Sequence, residues 1–137
     1  MTMNFTLNEL LRSRVGENRG IDNTPSDEIK RQLEFTIAGL QRIRCALGRP
    51  MIITSGYRCP ELNLAVGGVE SSQHVKGEAA DFISPSFGRP SDITEYLSDR
   101  MGILGIDQLI LESSWVHVSF TTVPRGIFLK SAKAVEG

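Results

Sequence analysis

The chain has 137 residues, 40% hydrophobic and 23% charged, with 15 Lys and Arg against 16 Asp and Glu for a net charge of −1. That length suits one domain whose core needs no disulfide staples, and near-neutrality gives no electrostatic case for nucleic acid or an anionic membrane as partner. No stretch approaches the roughly 20 apolar residues of a membrane span, residues 1–5 show no basic region followed by an apolar run and hence no signal peptide, and Cys45 and Cys59 read as two free thiols.

Thr6-Leu7-Asn8-Glu9 is a capping box, with Phe5 and Leu10 placed as the hydrophobic staple outside it. It predicts a short helix over 7–13. Residues 14–25 carry Gly16, Gly20, Asn23 and Pro25 and read as a loop. Ser26 then caps a long helix whose Ile29, Leu33, Ile37, Leu40, Ile43 and Leu47 form one buried stripe with a core role only. Gly48 ends it, and Pro50 prevents its resumption. Met51-Ile52-Ile53-Thr54 predicts a short strand. Ser55-Gly56-Tyr57-Arg58 turns into a short helix with Pro60 in its first turn, closed by Gly67-Gly68. A loop over 72–78 leads into a strand over 79–83, and 85–90 is again a loop. Ser91 is expected to cap a helix with Ile93, Tyr96, Leu97 and Met101 on one face. Residues from about 131 read as a frayed tail, so the expectation is a single domain over 1–137 with an ordered core at about 5–130.

Gln108-Leu109-Ile110-Leu111-Glu112 and Trp115-Val116-His117-Val118-Ser119-Phe120 are two strand-like runs separated by Ser113-Ser114, which predicts a tight hairpin. Alternation puts Val116, Val118 and Phe120 on a core face and Trp115, His117 and Ser119 on the other. A two-residue turn sets Glu112 opposite Trp115, and opposed residues point the same way. Glu112 therefore shares the face of His117.

The chain has 2 histidines, His74 and His117. His74 lies in Ser72-Gln73-His74-Val75-Lys76-Gly77-Glu78-Ala79-Ala80-Asp81, with a carboxylate seven residues on, at Asp81. Two imidazoles and one carboxylate are enough to hold a zinc ion with one position left open for water. Asp81 beside Phe82 on a strand calls for a partner such as a metal. Gly77 would let the backbone turn tightly between ligands. No base stands beside Ser72, so a serine nucleophile is rejected.

Ser72-x-His74-x-x-Gly77-x-Ala79-x-Asp81 resembles the signature of the M15 zinc peptidases, the D-Ala-D-Ala carboxypeptidases and L-Ala-D-Glu endopeptidases, whose relatives include the metal-binding hedgehog signalling domain. Trp115-x-His117 resembles their distal histidine motif, and Ser55-Gly56-Tyr57-Arg58 with Leu62-Asn63 their upstream arginine motif. The resemblance covers about 5–120, in the short form seen in phages and prophages. It implies an α+β fold, an antiparallel sheet with helices packed on it, and Zn²⁺ held by His74, Asp81 and His117. It also implies hydrolysis of peptidoglycan stem peptides next to D-amino acids, with Arg58, Ser72 and Trp115 contacting substrate and Arg58 stabilising an oxyanion. A monomer is expected. So is cytoplasmic synthesis, with action at the cell wall after release, as for an endolysin, or as a virion component.

The base is the open assignment. In many relatives the catalytic acid stands three residues before the distal histidine, but that position is Ser114 here. Glu112 is the nearest upstream carboxylate and the favoured base; Glu78 has the wrong strand parity, and Asp107 lies further back. Two other readings compete. A non-catalytic cell-wall-binding or virion module could keep the zinc and lose turnover. A non-haem iron oxygenase also uses two histidines and a carboxylate, but with a shorter spacing and a different fold.

Overall fold

The structure, a computed structural model, describes residues 5–132. Helix α1 (Leu7–Leu11) starts as its capping box predicts: Thr6 Oγ1 accepts from the Glu9 N–H (3.2 Å) and the Glu9 carboxylate accepts from the Thr6 N–H (3.0 Å). Phe5 and Leu10 are both buried in the core. The expected loop over 14–25 is corrected in its first half by a second helix, α2 (Arg14–Arg19). Ser13 caps it by accepting from the Gly16 N–H, and Gly20, left-handed at φ 65°, ends it. Gly16, which reads as a breaker, is buried inside α2, where a Cβ would meet Leu62 at an ordinary 3.6 Å.

Helix α3 (Asp27–Leu47) begins at Ser26, which accepts from the Ile29 N–H, and stops at the left-handed Gly48. Its Leu33, Leu40 and Ile43 are fully buried, each stabilising by roughly 2 kcal/mol. Strand β1 (Ile52–Ser55) and helix α4 (Pro60–Ala65) follow, the latter capped by Cys59, whose sulfur accepts from the Leu62 N–H. Neither Cys45 nor Cys59 is in a disulfide.

Strand β2 (Ala79–Ile83) comes where expected. Helix α5 (Pro90–Ser98) differs in its start: Pro90 is its first residue, Arg89 stands at the cap, and Ser91 is inside the helix. Asp92 takes over the capping role, accepting from the Arg89 N–H at 2.9 Å. The expected continuation to Met101 breaks at Asp99 and resumes as α6 (Met101–Leu104), although Ile93, Leu97 and Met101 are all buried as predicted.

Strands β3 (Gln108–Leu111) and β4 (Val116–Ser119) form the predicted hairpin, with Leu111 opposite Val116. A last strand, β5 (Ile127–Lys130), has no counterpart in the sequence reading; its Ile-Phe-Leu-Lys run lacks the polar alternation that marks a half-buried strand. Among the described residues the five strands run β1-β2-β4-β3-β5, antiparallel throughout except for the parallel β3–β5 pair. The fold is therefore α+β, as expected. Most of the tail expected to fray, residues 133–137, lies outside the described residues.

One face of this sheet carries Ala80, Phe82, Leu109, Val116 and Val118, all fully buried in the core cluster. Gly39 lets α3 lie close on this layer: a Cβ there would stand 2.3 Å from the Phe120 ring. With the core on one face, the polar residues of β2 and β4 are left on the other.

Candidate metal centre

Asp81 on β2 and His117 on β4 are direct cross-strand partners, so their side chains leave the same face of the sheet. His74 arrives from the turn before β2. Gly77 closes that turn at φ 76°, a conformation that favours glycine, so the expected tight turn between ligands is present. Thr36 of α3 donates to the buried Gly77 carbonyl at 2.7 Å. The helix expected to be core and nothing more thus also holds the turn that delivers His74.

His117 Nδ1 lies 2.9 Å from Asp81 Oδ1, and His74 Nε2 lies 3.2 Å from the same oxygen. The two imidazoles meet edge to face, with ring centroids 5.1 Å apart. His74 Nδ1 sits 2.7 Å from the Gly56 carbonyl oxygen. A carbonyl only accepts, so Nδ1 carries a proton, and Nε2, towards Asp81, is the nitrogen that a metal would take. Burial pushes the Asp81 carboxyl up, but hydrogen bonds and charge from His117 and His74 outweigh it and hold the carboxyl at about 2. One donor atom from each of the three residues lies within 4.8 Å of the others. Two imidazole nitrogens and an ionised carboxylate fit zinc, and three protein ligands leave a position open.

Arg58 is tied into the same centre through its backbone, its N–H donating to the His74 carbonyl at 3.1 Å. Arg58 lines a cleft together with Asp81, and among the described residues its buried Nε has no hydrogen-bond partner. Burial draws the Arg58 pKa below its ordinary value, opposed by the charge of Asp81. Ser72 Oγ accepts from the His74 N–H at 3.2 Å, which shapes the ligand turn. Glu112 and Trp115 face each other across the hairpin end, the Glu112 N–H donating to the Trp115 carbonyl at 3.1 Å. The register sets Ile110 against His117 and so puts Glu112 on the His117 face. Among the described residues the Glu112 carboxylate takes part in no hydrogen bond or ion pair. Glu78, by contrast, accepts from Gln73 at 3.1 Å.

The sequence matches the Peptidase M15 family over residues 3–119, which takes in Arg58, all three ligand candidates and Glu112. The chain belongs to that family. No match was found among curated proteins. The M15 peptidases are zinc-dependent metallopeptidases that act on peptidoglycan peptides, and the His74–Asp81–His117 cluster supplies this M15 peptidase with a donor set of the required kind.

The sequence reading missed what braces the centre in this M15 peptidase. Asp107, one of the candidate bases, is fully buried and accepts from Arg125 Nε (2.9 Å), Arg125 Nη2 (2.7 Å), Ser119 Oγ (3.0 Å) and Gln73 Nε2 (3.1 Å). Gln73 precedes His74, and Ser119 is two residues beyond His117, so this one carboxylate links both histidine segments. Asn23, which reads as a loop residue, donates to the Leu11 and Tyr57 carbonyls and accepts from the Cys59 N–H at 2.7 Å, pinning the segment that carries Arg58. The signal for both was weak: a buried Asp and its distant Arg partner are visible only once β3 and the approach to β5 are adjacent.

Hydrogen bonds from Arg125 outweigh burial and, with those from Gln73 and Ser119, hold the Asp107 carboxyl well below the usual carboxylate range. A depressed folded value stabilises above the unfolded value near 4 and is lost as pH falls. Arg125 is half-exposed, so screening reduces the worth of its charge. Asp107→Asn is expected to destabilise the fold by about 2 kcal/mol at neutral pH. The gap to wild type should narrow below about pH 4. Urea unfolding at pH 7 and pH 3 checks this.

Proposed function

We propose that this M15 peptidase hydrolyses peptidoglycan stem-peptide bonds next to D-amino acids, as a carboxypeptidase or an endopeptidase. The observation that carries the reading is the cluster of His74, Asp81 and His117, whose Asp81 opens on a cleft of about 790 Å³ also lined by Arg58, with its buried, unpaired Nε. Zinc bound by the three ligands would supply Lewis acidity, polarising a carbonyl and lowering the pKa of a water to about 7.

The chain's own residues supply the remaining chemistry. Arg58 offers a planar fork of donors to a substrate carboxylate or to the oxygen on which charge develops. Asp81, ionised and fixed between two imidazoles, keeps both rings oriented. Glu112 takes the proton of the attacking water and returns it to the leaving amine. Its free carboxylate favours it over Glu78, held by Gln73, and Asp107, saturated by Arg125, Ser119 and Gln73. Trp115, beside Glu112 at the hairpin end, contacts substrate, and Ser72 supports the turn that carries His74. The protein acts as a monomer at the cell wall, after release or as a virion component.

Mass spectrometry of purified peptidoglycan digested by the zinc-saturated protein tests the reading. Released D-amino acids or shortened stem peptides, abolished by chelation, are expected. Unchanged masses would reduce the protein to a zinc-containing binding module. Arg58→Ala is expected to keep zinc and fold and to lower turnover by about 10²-fold, the scale of losing one oxyanion donor. Arg58→Lys should recover little, because a point charge cannot reproduce the fork. Steady-state assays beside metal analysis check both variants.

A further inference from the structure

The cleft that ends at Asp81 and Arg58 runs back along β1, and residues 51–55 all line it. Adjacent strand residues point to opposite faces. Lining by five in a row therefore places the cleft against the strand's edge, not over one face. Among the described residues β1 is the outermost strand and pairs only with β2. Among the described residues, no backbone hydrogen bond outside the sheet engages residues 51–55. Exposed edges are ordinarily guarded by Lys, Pro or inward charge. Ile-Ile-Thr-Ser carries none of these, its shortness and bulge being the only protection, and Ile52 is 52% exposed. Between Ile53 and Ser55 the register shifts, a bulge that bends the strand where it reaches Asp81.

The opposite wall is the corner between α1 and α2, which contributes Arg12, Arg14 and Glu17. Glu9, on the same wall, is held by Thr6 in the capping box. Both arginines are exposed, and neither takes part in an ion pair among the described residues. With Arg58 at the far end, the groove carries three guanidinium groups and the three carboxylates of Glu9, Glu17 and Asp81, and among the described residues none of these carboxylates is ion-paired to Arg12 or Arg14. Its volume of about 790 Å³ is that of a ligand site.

We infer that the free edge of β1 is the docking strand for substrate. An extended acidic peptide adds beside β1 as a further strand, its main chain paired to that edge, its carboxylates towards Arg12 and Arg14, and its scissile bond led to Asp81 and Arg58. Strand addition draws affinity from main-chain hydrogen bonds. Those bonds read no side chain and so accept D residues. The inference rests on the peptidase reading, since it names how the substrate of that same centre is held.

The test uses the zinc-loaded protein and two probes: the stem pentapeptide L-Ala-γ-D-Glu-L-Lys-D-Ala-D-Ala, and the shortest fragment of it that spans the cut bond. The pentapeptide is expected to exceed the fragment in kcat/KM by about tenfold or more, and the double variant Arg12→Glu/Arg14→Glu should bring that ratio close to one. A ratio near one in the wild type, or one untouched by the double variant, overturns the docking strand while leaving the peptidase intact. If neither probe is cut, the peptidase reading itself fails, and amide mapping by NMR still decides the groove. Pentapeptide-induced shifts and slowed hydrogen exchange at residues 52–55 support it; their absence there refutes it.

Discussion

His117→Ala is expected to bind zinc at least about 10²-fold more weakly and to lose measurable turnover. Removing a ligand should cost more than losing an outer-shell partner, for which 10- to 100-fold is usual. The fold should survive, because His117 leaves the sheet on the face opposite Val116 and Val118, which are fully buried in the core. Asp81→Ala should behave alike at the metal. It removes the charge that attracts the cation and the oxygen that both imidazoles face at 2.9 and 3.2 Å. His74→Ala should lose metal and also stability, since His74 is 2% exposed and its ring bonds the Gly56 carbonyl. Metal analysis of the purified variants beside their melting temperatures separates the two effects. Stoichiometric zinc in His117→Ala and Asp81→Ala would remove this centre as the binding site, and wild-type protein that takes up no zinc would remove the metal itself.

Glu112→Gln is expected to bind zinc normally, melt with the wild type, and turn over at least about 10²-fold more slowly, the low end of what general acid–base catalysis contributes. The amide keeps the shape and the hairpin bond, whose donor and acceptor are backbone atoms. What it lacks is a site to take a proton. Glu78→Gln should be much milder, because the Glu78 carboxylate is a hydrogen-bond acceptor for Gln73 at 3.1 Å. Asp107→Asn should act chiefly through stability, as its four side-chain donors dictate. Assays of the three variants at matched zinc occupancy check the assignment. Full activity in Glu112→Gln would move the base elsewhere.

The elements that were legible in the sequence are those decided by near neighbours. Thr6 and Ser26 cap α1 and α3 because each side chain reaches an N–H three residues on. The stripe of α3 and the hairpin at Ser113-Ser114 follow from periods of 3.6 and 2 in residues that are themselves in contact. The family motif carried the ligand trio for a related reason: type and spacing name the donors even when geometry is unknown. The misreadings share the opposite cause. At α2, Gly16 reads as a breaker, yet it is buried inside the helix near Leu62, 46 positions away. Ser91 is a good capping residue by type, but Pro90 already occupies the first helical position and Asp92 does the capping.

By itself the sequence determined which atoms are available for chemistry: two imidazoles, Asp81, Arg58 and a Glu112 whose strand parity follows from the length of the turn. Only the tertiary structure decided where those atoms meet. The cross-strand pairing of Asp81 with His117, the anchoring of the His74 turn by Thr36, and the junction of Asp107 with Arg125, Ser119 and Gln73 all join residues 12 to 41 positions apart. Such pairings depend on the closing of loops and on which strand lies beside which, and no local propensity encodes either. β5 shows this most plainly: Ile127-Phe128-Leu129-Lys130 is a strand because β3 offers it an edge to pair with.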